Sequence, residues 1–314
     1  MKILINYADK QYEPARKWNT LTGRYIARFD KVYEYTPNDI DQSFAKLHHD
    51  ILSQKRGNGL WLWKPYFVNK ALSDCSDGDI IFYCDSGSFF IGRGIIANLS
   101  EKQPLFVCDI PLLESCFTKP VCFEKMGLTE EKYKASNQII ATYFCFLVTP
   151  ATRKFMKEWL SLCCDFELLS PAGLGKFDVP TTDFGEAFVA HREDQSIFSL
   201  LCKKHGISPH RDISQRGKHP ETYKSPFYAY KIPIHPNDKY KPIILDNKVT
   251  TKKRNAERYS DRIELQGFQS CFRLFVKPSQ SPLKPNQDAA TLLVRNHARN
   301  GDKRTRITKQ GVKD

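Results

Sequence analysis

The sequence predicts an α/β fold: a single domain with a mixed, mostly parallel sheet flanked by helices, followed by a basic C-terminal extension. Segments typical of strands alternate with segments typical of helices up to about residue 210, which is the pattern of a mostly parallel sheet. Charge marks the extension, because residues 247–314 hold 16 Lys and Arg against 6 Asp and Glu in a chain of formal net charge +13. We therefore expect a domain at residues 1–246 and an extension at residues 247–314.

Runs of β-branched and aromatic residues define the expected strands. The predicted strands are residues 1–6, 31–36, 80–84, 105–108 and 139–148. One or two further strands are expected within residues 262–276, and residues 278–314 have the composition of a loosely ordered segment.

Helical periodicity and capping residues define the expected helices. The predicted helices are residues 39–54, 65–73, 129–134 and 149–164, and one that opens at residues 191–195 and ends at Gly206. Thr149 and Pro150 are suited to the N-cap and first helical position of the fourth. Residues 7–23 are compatible with either a helix or an irregular loop.

The composition excludes several classes of protein. With 314 residues, 41% of them hydrophobic, the chain is long enough for one sizeable core. No apolar run approaches the roughly 20 residues of a membrane span, and the N-terminal apolar segment is too short for a secretory signal. The ten cysteines are irregularly spaced, with no CxxC pair, which predicts neither a zinc site nor a disulfide framework. We expect reduced core cysteines and a cytoplasmic protein.

The central feature of the sequence is the buried strand at residues 80–84, which ends at a single acid, Asp85, followed by Ser86 and Gly87. Ligands of open α/β sheets bind at the carboxyl ends of the strands. An Asp there can hold a divalent cation, and a glycine lets a phosphate approach the backbone. The alternative is that Asp85 only caps a turn.

Lys64 stands between Trp63 and Pro65 at the predicted start of a helix. A cation at a helix N-terminus opposes the macrodipole, and a bound diphosphate would relieve that conflict. The alternative is a solvated lysine beside tryptophans that serve the core.

Asp194 and Gln195 open the late helix. A carboxylate and an amide at one helix end can grip sugar hydroxyls, and the carboxylate can act as a general base; helix capping is the alternative. His191 is best explained as a helix-entry residue. Asn137 and Gln138 precede a predicted strand, either as turn residues or as readers of hydroxyl groups.

Three blocks, in this order, resemble those of bacterial capsular-polysaccharide or lipopolysaccharide-type glycosyltransferases, and the resemblance spans roughly residues 1–215. The blocks are GLWLWKP at 59–65, GDIIFYCDSG at 78–87 and HREDQS at 191–196. The Asp-Gln pair that opens the late helix is also similar to that of glycogenin-like, galactosyltransferase-like enzymes.

The resemblance implies a GT-A fold for residues 1–246, a nucleotide-sugar donor (a UDP-sugar), a saccharide or lipid-linked acceptor, and Mn²⁺ or Mg²⁺. It implies that Asp194 is catalytic and that Asp85 binds the metal. The implied donor-binding residues are Tyr7, Trp63, Lys64, Asp85, Ser86, Gly87, Gln138 and Gln195. Residues 170–190 would close over the donor.

The sequence departs from the family's DxD metal motif. Tyr83 and Gly87 flank Asp85 at the positions where a second acid would stand. A second protein ligand would have to come from elsewhere, and the candidates are Asp212, His210 and His219.

Two other functions stay open. One is a metal-dependent phosphohydrolase that uses Asp85, although the residues after Asp85 do not match the DxDx(T/V) run of aspartyl-phosphate enzymes. The other is a polyanion-binding module acting through the basic extension. The extension lacks the spaced aromatics of a nucleic-acid stacking surface, so we prefer peripheral attraction to an anionic membrane.

Overall fold

The structure is a computed structural model that describes residues 1–93, 99–172, 188–218, 235 and 241–246. The expected strands within residues 262–276 and the whole basic extension lie outside the described residues, as does His219.

The described strands form one central sheet and two small ones. They are β1 (Lys2–Tyr7), β2 (Lys31–Tyr35), β3 (Ile80–Cys84), β4 (Ser88–Phe90), β5 (Leu105–Phe106), β6 (Asp109–Leu113), β7 (Asn137–Ile139), β8 (Tyr143–Leu147) and β9 (Ile244–Asp246). The central sheet has the order β2-β1-β3-β8-β5. Strand β1 is parallel to β2 and β3, whereas β8 is antiparallel to both β3 and β5. Within the central sheet, the four strands other than β8 therefore run in one direction, which confirms the mixed, mostly parallel sheet.

The helices cover this sheet. They are α1 (Glu13–Thr22), α2 (Gln42–Leu47), α3 (His49–Leu52), α4 (Gly57–Leu60), α5 (Trp63–Ser73), α6 (Glu114–Phe117), α7 (Pro120–Met126), α8 (Glu131–Lys134), α9 (Pro150–Cys163), α10 (Phe166–Leu169) and α11 (Glu193–Lys204). None of the helices in the described ranges has the length and apolar character that would let it cross a membrane.

The alternation of β3 explains its two buried faces. Successive side chains of a strand point to opposite sides of the sheet, so Ile81 and Tyr83 join one apolar cluster while Phe82 and Cys84 join another. The first cluster holds the buried side chains of α5, α9 and α11, with fully buried Trp159 among them. Asp85, two residues after Tyr83, follows the face that these three helices cover.

The predicted strand at residues 139–148 is two strands. Residues 137–139 pair with β6, whereas residues 143–147 pair with β3 and β5. The three residues between them bond elsewhere: Ile140 N donates to Cys108 O at 2.9 Å, and Ala141 O accepts from Lys64. The apolar run predicts extended chain, which the structure confirms for both strands, but its division depends on partners that are distant in sequence.

The helix predictions are confirmed with shifted boundaries. The one at residues 39–54 is broken at His48, whose φ of −112° and ψ of 35° are not helical. Helix α5 begins at Trp63, before the predicted Pro65. Helix α9 has its expected cap, since Thr152 N donates to Thr149 Oγ1 at 3.2 Å. Residues 7–23 contain a helix, α1.

Candidate active site

Asp85 lies at the carboxyl end of β3, with its side chain 32% exposed. Its backbone N donates to Thr142 O at 2.8 Å, and its carbonyl accepts from Ser88 N at 3.0 Å. Tyr83 donates its hydroxyl to Asp85 Oδ1 at 2.6 Å, because residues two apart in a strand share a face. The carboxylate is thus fixed at the edge of the sheet and still reaches solvent.

Asp194 is the second residue of α11 and is buried, at 4% exposure. Its backbone carbonyl accepts from Trp159 Nε1 at 3.3 Å. Its Oδ2 lies 3.0 Å from Lys64 Nζ, yet this ion pair lacks the angles of a hydrogen bond, and Oδ2 accepts none within the described part of the chain. Burial raises the pKa of Asp194 to about 6, against the attraction of Lys64. A group with this pKa can exchange a proton near neutral pH.

Lys64 joins the two acids. Its Nζ lies 3.0 Å from Asp194 Oδ2 and 3.4 Å from Asp85 Oδ1, and it donates to Ala141 O at 3.1 Å. Burial alone would lower the pKa of Lys64, but the charges of Asp194 and then Asp85 outweigh it, so the pKa is raised. One buried ammonium therefore serves two carboxylates, and the group of three carries an excess negative charge.

The position of Lys64 at the second residue of α5 explains this pairing. A cation there faces the positive end of the helix dipole, and the expected anion would offset that. In the structure the offsetting anions are Asp85 and Asp194.

Tyr7, Trp63 and Ser86 lie beside this group. The rings of Tyr7 and Trp63 stack with centroids 3.8 Å apart, and Trp63 Nε1 donates to Gly57 O at 2.9 Å. Ser86 donates its hydroxyl to Tyr7 O at 2.5 Å. Both rings are 6% exposed, so they form the wall of the site rather than an open surface.

Gln138 and Gln195 are bonded to each other and buried. Gln195 Nε2 donates to Gln138 Oε1 at 2.9 Å, and Gln195 Oε1 accepts from Ala141 N at 3.4 Å. Gln138 Nε2 also lies 3.1 Å from Phe117 O. Ala141 thus contacts both Gln195 and Lys64, which places the two amides next to the charged group. Gly87 is half-buried in the turn after Ser86.

Arg56 and Glu193 are features of the site that the sequence analysis missed. Glu193, just before Asp194, has a φ of 41°, a conformation that non-glycine residues seldom adopt. It is buried, and Arg56 Nε donates to its Oε1 at 2.5 Å. The ion pair ties the start of α11 to the segment that leads into α5.

That segment is itself left-handed. All five residues from Gly57 to Trp61, which include the short element α4, have a positive φ, between 52° and 93°. Three of them, Asn58, Leu60 and Trp61, are not glycine. Gly57 and Gly59 are the signal in the sequence that such a turn is possible. Asn58 Nδ2 donates to the Tyr7 hydroxyl, so the turn is held against β1.

Two of the candidates for a second metal ligand, Asp212 and His210, make other contacts, and the third, His219, lies outside the described residues. Asp212 accepts from the Tyr143 hydroxyl and from Ser214 N, and the His210 ring stacks on Phe106. Over the ranges that the structure describes, no three His, Cys, Asp or Glu side chains come together as a metal site. The two acids that do converge have an ammonium between them, so these residues do not fit Mn²⁺ or Mg²⁺.

The centre of the expected donor-covering loop, residues 173–187, lies outside the described residues. Its flanks are bonded to the domain: Lys119 Nζ donates to Ser170 O at 2.6 Å, and His191 N donates to Ala172 O at 2.9 Å. His191 is buried, and desolvation lowers its pKa, in keeping with a helix-entry residue.

No family model and no curated protein matches the chain. Among solved structures, it is similar to the apo form of the glycosyltransferase GlyE of Streptococcus pneumoniae TIGR4, with 13% identity, a TM-score of 0.43, and 86% of this chain and 60% of that chain covered. It is also similar to the galactosyltransferase LgtC in complex with donor and acceptor sugar analogues, with 12% identity, a TM-score of 0.42, and 89% of this chain and 98% of that chain covered. A third similar structure is the apo form of mouse xyloside xylosyltransferase 1, with 8% identity, a TM-score of 0.41, and 79% of this chain and 98% of that chain covered.

All three are glycosyltransferases, and this chain spans about three fifths of the length of GlyE. Identities of 8–13% and TM-scores of 0.41–0.43 assign neither a family nor an activity to this chain.

Proposed function

We propose that this protein is a glycosyltransferase with a GT-A fold and a hexosyltransferase-like activity. It moves a sugar from a nucleotide-sugar donor, a UDP-sugar, to a saccharide or lipid-linked acceptor in the synthesis of a surface polysaccharide. One observation carries the proposal. Each of the three sequence blocks contributes one charged residue, and the carboxylates of Asp85 and Asp194 both lie within 3.4 Å of the Lys64 ammonium.

The chemistry of glycosyl transfer suits this group. The bond between the anomeric carbon and the diphosphate oxygen breaks, and its electron pair leaves with the nucleoside diphosphate. The sugar then gains oxocarbenium-ion character, which a nearby carboxylate stabilises. Asp194, with a pKa raised to about 6, is largely ionised at pH 7 and is suited to that role or to accepting the proton of the acceptor hydroxyl.

The remaining residues build the walls of the donor site in this proposal. Asp85, Ser86 and Gly87 form the turn that receives the diphosphate, and Tyr7 and Trp63 form the wall against which the nucleoside would lie. Gln138 and Gln195 form the base of the donor site beside Asp194, where a hydrogen bond of 2.9 Å joins the two side chains.

We assign residues 1–246 to catalysis and residues 247–314 to peripheral contact with an anionic membrane at the cytoplasmic face. The excess of 16 basic over 6 acidic residues supports this assignment, since each Lys or Arg near such a surface contributes about 1 kcal/mol. Binding to vesicles of anionic lipid should be weaker when residues 278–314 are deleted, while the turnover rate stays the same. Unchanged binding would contradict the membrane role.

The activity is tested with a panel of nucleotide sugars. Purified protein should release nucleoside diphosphate from one donor, and Asp85→Ala should abolish that release. Asp74→Ala, at the exposed end of α5, is the matched control and should keep it. Release of inorganic phosphate from simple phosphomonoesters, without turnover of any nucleotide sugar, would contradict the proposal and favour the phosphohydrolase.

A further inference from the structure

We infer that Lys64 takes the place of the divalent cation, so that this site transfers sugar without a metal. The inference rests on the proposed function and deepens it, because it names the cation that faces the leaving diphosphate. It begins from the disagreement described above: the family's expected Mn²⁺ or Mg²⁺ does not fit the residues that converge here.

The first step is that the ammonium of Lys64 lies close to the place where a metal ion would bind Asp85. Nζ of Lys64 lies between Asp85 Oδ1, at 3.4 Å, and Asp194 Oδ2, at 3.0 Å. A metal ion bound to Asp85 would have to sit within a few ångströms of this ammonium, and two cations that close repel each other. The carboxylates that would attract a metal are already neutralised in part by Lys64.

The second step is that Lys64 is held in place. The side chain is 4% exposed, and its ammonium donates to Ala141 O at 3.1 Å. The ring of Tyr83 lies 5.3 Å from Nζ, within cation–π range. Moving the lysine aside for a metal would leave buried charges without a partner.

Tyr83 supplies the third step. It occupies the first position of the acid-x-acid pattern and donates to Asp85 Oδ1 at 2.6 Å. A tyrosine hydroxyl is neutral at pH 7 and serves here as a hydrogen-bond donor. A neutral donor stands where a metal site would have a second anionic ligand.

The donor meets this cation from the side of Asp85. Asp85 is the exposed member of the group, at 32% against 6% for Asp194, and its contact with Lys64 is the longer one. The electron pair of the breaking anomeric C–O bond goes to the diphosphate oxygen, and Lys64 is the cation that faces the charge developing there. The new bond forms from the acceptor oxygen, and the acceptor's proton goes to Asp194. Lys64 is released from one of its two carboxylate charges when Asp194 takes the acceptor's proton.

A titration of the metal-free protein with MnCl₂, followed by the electron paramagnetic resonance signal of free Mn²⁺, tests the inference without relying on activity. The wild type should leave the signal unchanged. Lys64→Met should reduce it, because two carboxylates then lack a counter-cation. Lys70→Met is the matched control on the same helix, where Lys70 pairs with Asp41 on the surface, and it should behave as the wild type.

The activity arm uses the donor that the panel identifies. Wild-type turnover in excess EDTA should stay within twofold of that in Mn²⁺, whereas Lys64→Met should lose at least a hundredfold. Wild-type binding of Mn²⁺ that Asp85→Asn removes, or a tenfold loss in EDTA that Mn²⁺ restores, would overturn the inference. If no donor turns over under any condition, the proposed function fails, and the titration of the wild type still decides what occupies the site.

Discussion

Two buried lysine–carboxylate groups in this molecule differ in how completely their oxygens are satisfied. Glu114 is fully buried, and Lys203 Nζ donates to its Oε1 at 2.5 Å. Three neutral side chains complete its shell: Thr118 donates to Oε2 at 2.6 Å, Gln138 at 3.4 Å, and Ser199 donates to Oε1. One negative charge thus meets one positive charge and several donors.

The group around Lys64 lacks this balance. Two carboxylates share one ammonium, and Asp194 Oδ2 accepts no hydrogen bond from the described residues. A buried carboxylate oxygen that has an ion pair but no hydrogen bond is less favourable for stability than a fully satisfied one. Groups with a strongly perturbed pKa, such as Asp194, are concentrated at functional sites. This difference supports our proposal that the Lys64 group takes part in the chemistry, whereas the satisfied Glu114 group stabilises the fold.

The largest effect is expected for Asp194→Asn. It removes the proposed catalytic carboxylate but keeps its shape, so turnover of the nucleotide sugar should fall about 10²- to 10⁴-fold. Thermal stability should not fall, because Lys64 keeps Asp85 as its partner. Steady-state rates and a thermal unfolding scan measure the two. Normal turnover in a folded variant would contradict the catalytic role.

Part of this contrast could be predicted from the sequence. Local pattern predicts Asp85 after a buried strand and Asp194 at a helix start, and the packing of α5 and α11 at the end of β3 brings both acids to Lys64. The bridging role of Lys64 could not be predicted, because it depends on Ala141 O and on two acids distant in the chain. Glu114 was missed for the same reason, since its partners Lys203 and Ser199 lie on α11.

The left-handed turn at residues 57–61 was also missed. Its two glycines permit a positive φ, but Asn58, Leu60 and Trp61 adopt one as well. Ordinary residues hold such a conformation only when the surrounding contacts impose it. Here the contacts are tertiary, including the hydrogen bond from Asn58 to Tyr7.

Glu114→Gln should have the opposite profile to Asp194→Asn. It leaves the Lys203 ammonium buried without its counter-charge, and breaking a buried pair in this way costs about 3–5 kcal/mol of unfolding free energy. The rate per folded molecule should stay the same. Denaturant unfolding and an active-site-normalised rate check the result, and a lost rate with intact stability would reverse our assignment of the two groups.

The pH dependence of stability and of rate also distinguishes the Lys64 group from the Glu114 group. Burial raises the pKa of Asp194 from 3.8 to about 6, so the folded protein binds this proton more tightly than the unfolded chain. The stability that this group contributes is therefore present below pH 3.8 and is lost as the pH rises through 6, by about 3 kcal/mol. The rate should rise over the same interval as the carboxylate ionises.

Stability measured by denaturant unfolding between pH 4 and 7 should show that loss in the wild type. In Asp194→Asn, the free energy of unfolding should change less over this pH range. The residual turnover rate of this variant should not rise near pH 6. Matching curves for the two proteins would contradict the assignment of the pKa to Asp194.

The smallest effect is expected for Asn19→Ala. Asn19 is fully buried and donates to Ser88 O at 2.7 Å and to Asp85 O at 3.3 Å, which fixes the turn that carries Asp85. Loss of these hydrogen bonds should lower the free energy of unfolding by about 1–3 kcal/mol. It should also lower the turnover rate by a factor on the order of ten. Ser199→Ala, in the Glu114 group, should lower stability similarly and leave the rate unchanged. Equal rates for both variants would show that the turn needs no such support.

The central claim is that the three blocks form one donor site around Lys64. The most direct measurement is a crystal structure of the protein with a non-transferable UDP-sugar analogue, grown without divalent metal. Our account predicts the diphosphate within hydrogen-bonding distance of Lys64 and the anomeric carbon facing the Asp194 carboxylate. An analogue bound away from the carboxyl end of β3, or a sugar that faces away from Asp194, would contradict it.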